Sequence, residues 1–144
     1  MAWRINDETG EQVQMISNAK RKKRGEDTFR ELTGRGPDAL RASMAGLAPD
    51  AAEYVVEVVY GEMYQRAGLD IKTRQIVTVA ALAAMGNAQP QLRNLIRAAR
   101  HAGWTEAEVV EVFMQLAPYC GVPVMMNGLE AARLAFKDLA PPAA

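Results

Sequence analysis

DIKTRQIVTVAALAAMG, running from Asp70 to Gly86, carries no polar side chain after Thr78. Val79, Ala80, Ala81, Leu82, Ala83, Ala84 and Met85 make a helix apolar on every side, and such a helix has no face that prefers water. Other elements must enclose it, because it falls short of the about 20 apolar residues that cross a bilayer. The expected architecture is all-α, a bundle of about six to seven helices around this buried central helix. Asp70 is placed to cap it. Arg74 is the anomaly, one turn in, where the helix becomes buried. A guanidinium does not shed its charge, so it needs a partner there, either a protein group or a ligand.

Length and composition bound what such a chain can do. Its 144 residues suit one domain with a substantial core, expected over 11–140 between a loose arm at 1–10 and a frayed tail at 141–144. Basic and acidic residues balance at 17 each, which favours neither nucleic acid nor an anionic membrane as main partner. A single cysteine excludes an internal disulfide and any Cys-x-x-Cys site. No charged lead followed by an apolar stretch opens the chain, so no signal peptide is expected and a reduced, cytoplasmic setting is. Plentiful alanine and methionine favour helix.

Upstream of the central stretch, Val13, Ile16, Phe29 and Leu32 are sparse apolar positions in a first helix, and Lys20 to Arg24 reads KRKKR. Such a run either meets nucleic acid or forms a solvated helix face. Glu26, Asp27 and Glu31 follow at once, and the solvated face is the reading taken. Gly34, Gly36 and Pro37 stop the helix, a short one follows from Asp38 to Gly46, and Pro49 suits the first position of the next. Val55, Val56, Val58, Val59 and Tyr60 have strand propensity. No turn signal flanks them, and Met63 and Tyr64 continue their face, so helix is expected. Gly68 suits the left-handed position after that helix.

Downstream, Asn87 or Gln89 is placed to cap a helix with Pro90 in its first turn. Leu92, Leu95, Ile96 and Ala99 form its apolar stripe, Arg93, Arg97 and Arg100 lie on another side, and Gly103 ends it. Thr105 and Glu108 make a capping box ahead of Val109, Val112, Phe113 and Leu116. Pro118 is expected to disrupt the following turn, Tyr119 to Pro123 to form a sharp connection, and a last helix to run from Pro123 to Lys137.

Several familiar chemistries have no support. There is no Gly-x-Gly-x-x-Gly after a strand and no Walker loop. His101 is the single histidine and falls in the last turn of a helix, where a cation meets the helix dipole. Neither a Ser-His-Asp set nor a histidine- or cysteine-built metal site follows from that. What remains is a group of polar residues beside apolar helices: Glu62, Tyr64, Arg66, Arg74, Tyr119 and Asn127. Glu62 and Arg74 flank the bend at 67–70 and can come close in space. They either form a buried ion pair that fixes two helices, or Arg74 is left for a ligand. Tyr119 is similarly ambivalent, since a buried tyrosine hydroxyl usually finds a backbone partner. Cys120, without a histidine or lysine neighbour, reads as a small buried apolar residue.

Gly61-Glu62-Met63-Tyr64, Arg66, Gly68-Leu69-Asp70 and Arg74 resemble the signature of the carboxymuconolactone decarboxylase family. The resemblance continues through Gln91-Leu92, Ala98, Gly103, Thr105, Glu108, Glu111, Tyr119, Gly121, Pro123 and Asn127, covering Arg24 to Phe136. It implies an alkylhydroperoxidase-like helical bundle, assembly as a homotrimer or homohexamer, and no cofactor or metal. The peroxidase branch carries a Cys-x-x-Cys and a histidine where this chain has Ala88, Gln91 and Leu95, so thiol peroxidase chemistry lacks its electron source. The decarboxylase branch usually keeps that histidine, and its tryptophan and proline are Tyr64 and Ala67 here.

The implied reaction removes the carboxylate of a small unsaturated lactone acid. A site for it must hold a carboxylate, stabilise the oxyanion that develops and protonate the product carbon. On that resemblance Arg74 grips the carboxylate with two hydrogen bonds. Glu62, raised in pKa by burial, or Tyr119 donates the proton, and Tyr64, Leu95 and Asn127 contact substrate. Two other readings stay open. One is a binding or structural family member that lost its acid with the histidine; the other is a nucleic-acid accessory acting through Lys20 to Arg24.

Overall fold

The structure, a computed structural model, describes residues 19–139. The arm expected over 1–10, the first-helix positions Val13 and Ile16, and the tail over 141–144 lie outside the described residues. Every regular element among the described residues is helical, as expected. In chain order they are α1 (Ala19–Thr33), α2 (Asp38–Met44), α3 (Pro49–Tyr54), a π-helical turn (Val55–Tyr60) and a tight 3-10 turn (Met63–Gln65). Then come α4 (Ile71–Met85), α5 (Gln89–His101), α6 (Glu106–Cys120) and α7 (Val122–Leu139). No helix among them is long and apolar enough to cross a membrane. Residues 19–29 and 36–65 form one compact unit, and residues 30–35 with 66–139 form another.

In the first unit the valine-rich run is helical, but of the wide kind. The Gly61 N–H reaches back five residues to Val56 O at 3.0 Å, which makes room for an extra residue in the turn. Glycine lets α1 cross this turn at backbone contact. A Cβ on Gly25 would lie 2.0 Å from Val56 O, and one on Gly61 would lie 2.3 Å from Arg21 O. Under the crossing sits Glu57, fully buried, with Arg21 donating to its Oε2 through Nη2 at 3.1 Å and Nε at 3.3 Å. Arg41 gathers Glu53 (2.7 Å) and Glu26 (2.5 Å), and Lys22 also reaches Glu53 at 2.9 Å. Arg41 holds the Glu53 carboxyl below its usual range, with Lys22 adding to the effect. Phe29 packs edge-on against Tyr60, which in turn lies against Tyr64.

The second unit is an apolar bundle. α4 touches α5, α6 and α7, and Val79, Leu92, Ile96, Val109 and Phe113 form its centre with alanines of α7. Phe113 lies so close to α7 that a Cβ on Gly128 would be 2.4 Å from its Cδ1. The enclosure expected of α4 is partial. Gln75, Val79 and Ala83 form one buried stripe, while Val77 and Met85 are 53% and 62% exposed and Ala81 and Ala84 are exposed with them.

The helix ends correct several expectations. Asp70 does cap α4, its Oδ1 accepting the Thr73 N–H at 2.7 Å, and Thr105 with Glu108 closes both halves of the capping box. Gly68 is not left-handed; among the described residues the glycines with positive φ are Gly34, Gly86, Gly103 and Gly121. α5 starts after Ala88 without a side-chain cap, so neither Asn87 nor Gln89 serves. Pro90 has no N–H, which removes one of the donors a cap would satisfy. Pro118 does not break α6, which runs through it to Cys120. Only the amide at 118 is lost, and the Gly121 N–H closes the last turn onto Ala117 O at 3.0 Å. The connection to α7 is therefore Gly121 alone, at φ 90°, rather than the five residues expected.

Candidate functional site

Asp70 sets the first turn of α4 and thereby aims Arg74. From there the guanidinium folds back over the loop ahead of its own helix. Nε donates to Leu69 O at 3.1 Å and Nη2 to Arg66 O at 2.6 Å. Arg74 is partly buried, and its partners are neutral carbonyls. No carboxylate pairs with it among the described residues, so its charge is held in place without being cancelled. The first turns of α4 are pinned from two further sides. Trp104 Nε1 donates to Lys72 O at 3.1 Å while the Lys72 ammonium sits 4.6 Å from the indole ring centre. Gln75, fully buried, donates from Nε2 to Leu95 O at 3.0 Å.

Leu95 is half-buried with its side chain against the core. Tyr119 and Asn127 are both exposed, Tyr119 at 79%. The buried tyrosine and buried cysteine considered for 119 and 120 are overturned, since both side chains are exposed. They ride on the outer side of the last turn of α6, which continues past Pro118 instead of folding inward. His101 is exposed at the end of α5, as expected of a surface histidine.

The other candidates belong to the first unit. Tyr64 is buried. Burial, with some help from Tyr64, pushes the neighbouring Tyr60 phenol above its ordinary range. Glu62 is not the buried acid the sequence suggested: its side chain is 51% exposed, and its carboxylate pairs with Arg21 Nη1 at 3.4 Å. The burial falls on Glu57 instead. The basic run is largely occupied by acids of the same unit, through Arg21 to Glu57 and Glu62, Lys22 to Glu53 and Lys23 to Asp27.

Glu57 and Gln75 escaped the sequence reading. The signal for Glu57 was an acid inside an unbroken valine run, VVEVVY; the signal for Gln75 was an amide four residues before Val79, on the stripe that α4 buries. Glu57 and Glu62, with Tyr64, lie in one unit; Arg74, Leu95, Tyr119 and Asn127 lie in the other. Among the described residues no three or more His, Cys, Asp or Glu are grouped to hold a metal ion.

The sequence model of the carboxymuconolactone decarboxylase family matches residues 49–134. Among similar proteins is an uncharacterized 15.0 kDa protein encoded in the nqo9-nqo10 intergenic region of Paracoccus denitrificans. It is 35% identical over 97 residues, which cover 67% of this chain and 72% of that protein. A 4-carboxymuconolactone decarboxylase of Acinetobacter baylyi is 33% identical over 90 residues, 62% of this chain and 66% of the relative. A nitrosuccinic acid decarboxylase of Metarhizium robertsii is 30% identical over 102 residues, 71% of this chain and 70% of the relative.

Proposed function

Because this chain belongs to the carboxymuconolactone decarboxylase family, we propose that it is a cofactor-independent lyase that removes CO2 from a small carboxylated lactone or related ring compound. Two relatives bear names of decarboxylases, one for 4-carboxymuconolactone and one for nitrosuccinic acid. The observation that carries the reading is Arg74, a partly buried guanidinium whose charge no acid cancels among the described residues. Such a group binds a carboxylate with charge-assisted hydrogen bonds. In the reaction the C–C bond to the carboxylate breaks and CO2 departs. The electron pair moves through the conjugated system onto the lactone oxygen, and a proton then reaches the product carbon. Tyr119 closes the end of α6 opposite to the one that packs on the first turn of α4, a helix length of about 22 Å. It therefore reaches a carboxylate on Arg74 only from a second copy of the chain; it and Glu62 are both tested as donors. Leu95 and Asn127 are assigned to substrate contact.

Incubation with 4-carboxymuconolactone, followed by its ultraviolet absorbance, tests this directly. Turnover is expected, and Arg74→Leu should lower kcat/KM by about 100-fold, the worth of one charge-assisted contact. Turnover that survives Arg74→Leu in a folded protein removes Arg74 from the site. Glu62→Gln and Tyr119→Phe identify the donor by which one abolishes product protonation. The second reading, a ligand-binding member without catalysis, is favoured by Leu95, which puts an aliphatic side chain where the family usually has a histidine. It predicts binding of the lactone acid with no CO2 released.

We also propose self-association, as a trimer or hexamer, through the exposed stripe of α4 that carries Val77, Ala81, Ala84 and Met85. Light scattering of the wild type should give a multiple of the chain mass, and Met85→Glu should reduce it. A monomeric wild type would end the proposal.

A further inference from the structure

The hydrogen bonds of Arg74 divide its guanidinium into two halves. A guanidinium offers two forks to a carboxylate, a side-on one built from Nε and one Nη, and an end-on one built from the two Nη groups. In this protein the side-on fork is occupied: Nε holds Leu69 O and Nη2 holds Arg66 O. Nη1 has no partner among the described residues. The two carbonyls come from the short exposed loop that Asp70 terminates as the cap of α4. The base of the side chain is fixed as well, since the Arg74 N–H bonds Asp70 O at 3.0 Å and Thr78 Oγ1 donates to Arg74 O at 2.9 Å.

We propose that the Arg66 and Leu69 carbonyls are a positioning clamp that presents Arg74 end-on to the carboxylate of the substrate. This rests on the reading of Arg74 as the carboxylate-binding residue. A long side chain normally loses rotamer freedom when it binds, which weakens the affinity. The clamp removes most of that freedom before the ligand arrives. It also fixes the plane of the guanidinium, so a planar carboxylate must dock in that plane through Nη1 and the outer N–H of Nη2. Specificity then extends beyond charge. A carboxylate held by a rigid ring in the wrong plane is rejected, and a sulfonate, whose oxygens are not coplanar, binds poorly.

The test titrates isotope-labelled full-length protein with paraconate, a saturated lactone acid, and follows the Arg74 side-chain signals by NMR. The expected result is saturable binding that shifts the Nη signals and leaves the Nε–H resonance in place, because Leu69 O keeps that proton. Binding that displaces the Nε–H resonance overturns the clamp while leaving Arg74 as the carboxylate group. No binding, or binding that leaves every Arg74 signal unmoved, overturns both the clamp and the reading it rests on. A glycine inserted between Ala67 and Gly68 should weaken paraconate about tenfold with the Nε–H signal lost. Gly68→Ala is the control that should change neither, since a Cβ there meets nothing within 4 Å. If the insertion does not fold, the wild-type titration still decides.

Discussion

Each of the two units of this chain is held together internally by a different means. In residues 19–29 and 36–65 the contacts that fix the helices are ionic: Arg21 on buried Glu57, and Arg41 and Lys22 around Glu53. In residues 66–139 they are apolar, centred on Phe113, Ile96 and Val79, and the charged pairs ride on the outside. The first unit contributes few large side chains to a core of its own, so it locates its helices by charge and by glycine contact. The second has enough apolar area to do so by packing, which contributes about 25 cal/mol per Å² buried. Geometry in the first unit should therefore depend on completing each ion pair, and in the second on filling each volume.

Phe113→Ala should cause the largest loss, about 3–5 kcal/mol by urea unfolding, because a ring with no exposure leaves a cavity that Gly128 has no side chain to fill. A loss under about 1 kcal/mol would break the distinction drawn for the second unit. Arg21→Met should come next, at about 3 kcal/mol, since it takes the paired guanidinium away from a fully buried carboxylate. Adding Glu57→Leu should recover most of that loss in hydrogen exchange of residues 49–60. If the double variant is no better than the single one, packing rather than charge holds this unit too. Thr105→Ala should cost about 1 kcal/mol, the worth of one N-cap, and should raise exchange at the start of α6.

The smallest effect is expected at Asp138, which ties α7 to α5. Arg93 first, then Arg97, holds its carboxyl below the ordinary value of 3.8. A folded pKa below the unfolded one means that the stabilisation is complete above pH 3.8 and fades as acid takes the pH through the lower, folded value. Asp138→Asn should therefore melt slightly below wild type at neutral pH, with the two Tm values converging in acid. A gap that persists in acid would assign the effect to packing.

Much of the second unit was legible because its signals are local. Asp70 lies three residues from the amide it caps, Thr105 and Glu108 are one turn apart, and Leu92, Ile96 and Ala99 repeat at helical spacing. The first unit was harder, since the meaning of Glu57 depends on Arg21, 36 residues earlier, and on two glycines that meet only in three dimensions. Arg74 stands between these cases. Its sequence position marked it as a charge in need of company. That the company is a pair of carbonyls from its own preceding loop is a matter of backbone course, and Gly68, read as left-handed, pointed to a different course.

The contact of Phe113 with Gly128 has a consequence for descent. With ring and backbone touching, neither position is free to drift alone. A lineage that gained a methyl group at 128 first would carry a steric clash through every intermediate generation, whereas one that first exchanged the ring for a smaller residue would pass through a merely loosened bundle. The order of substitutions is thus constrained, and reconstructed ancestors should differ at 113 before they differ at 128.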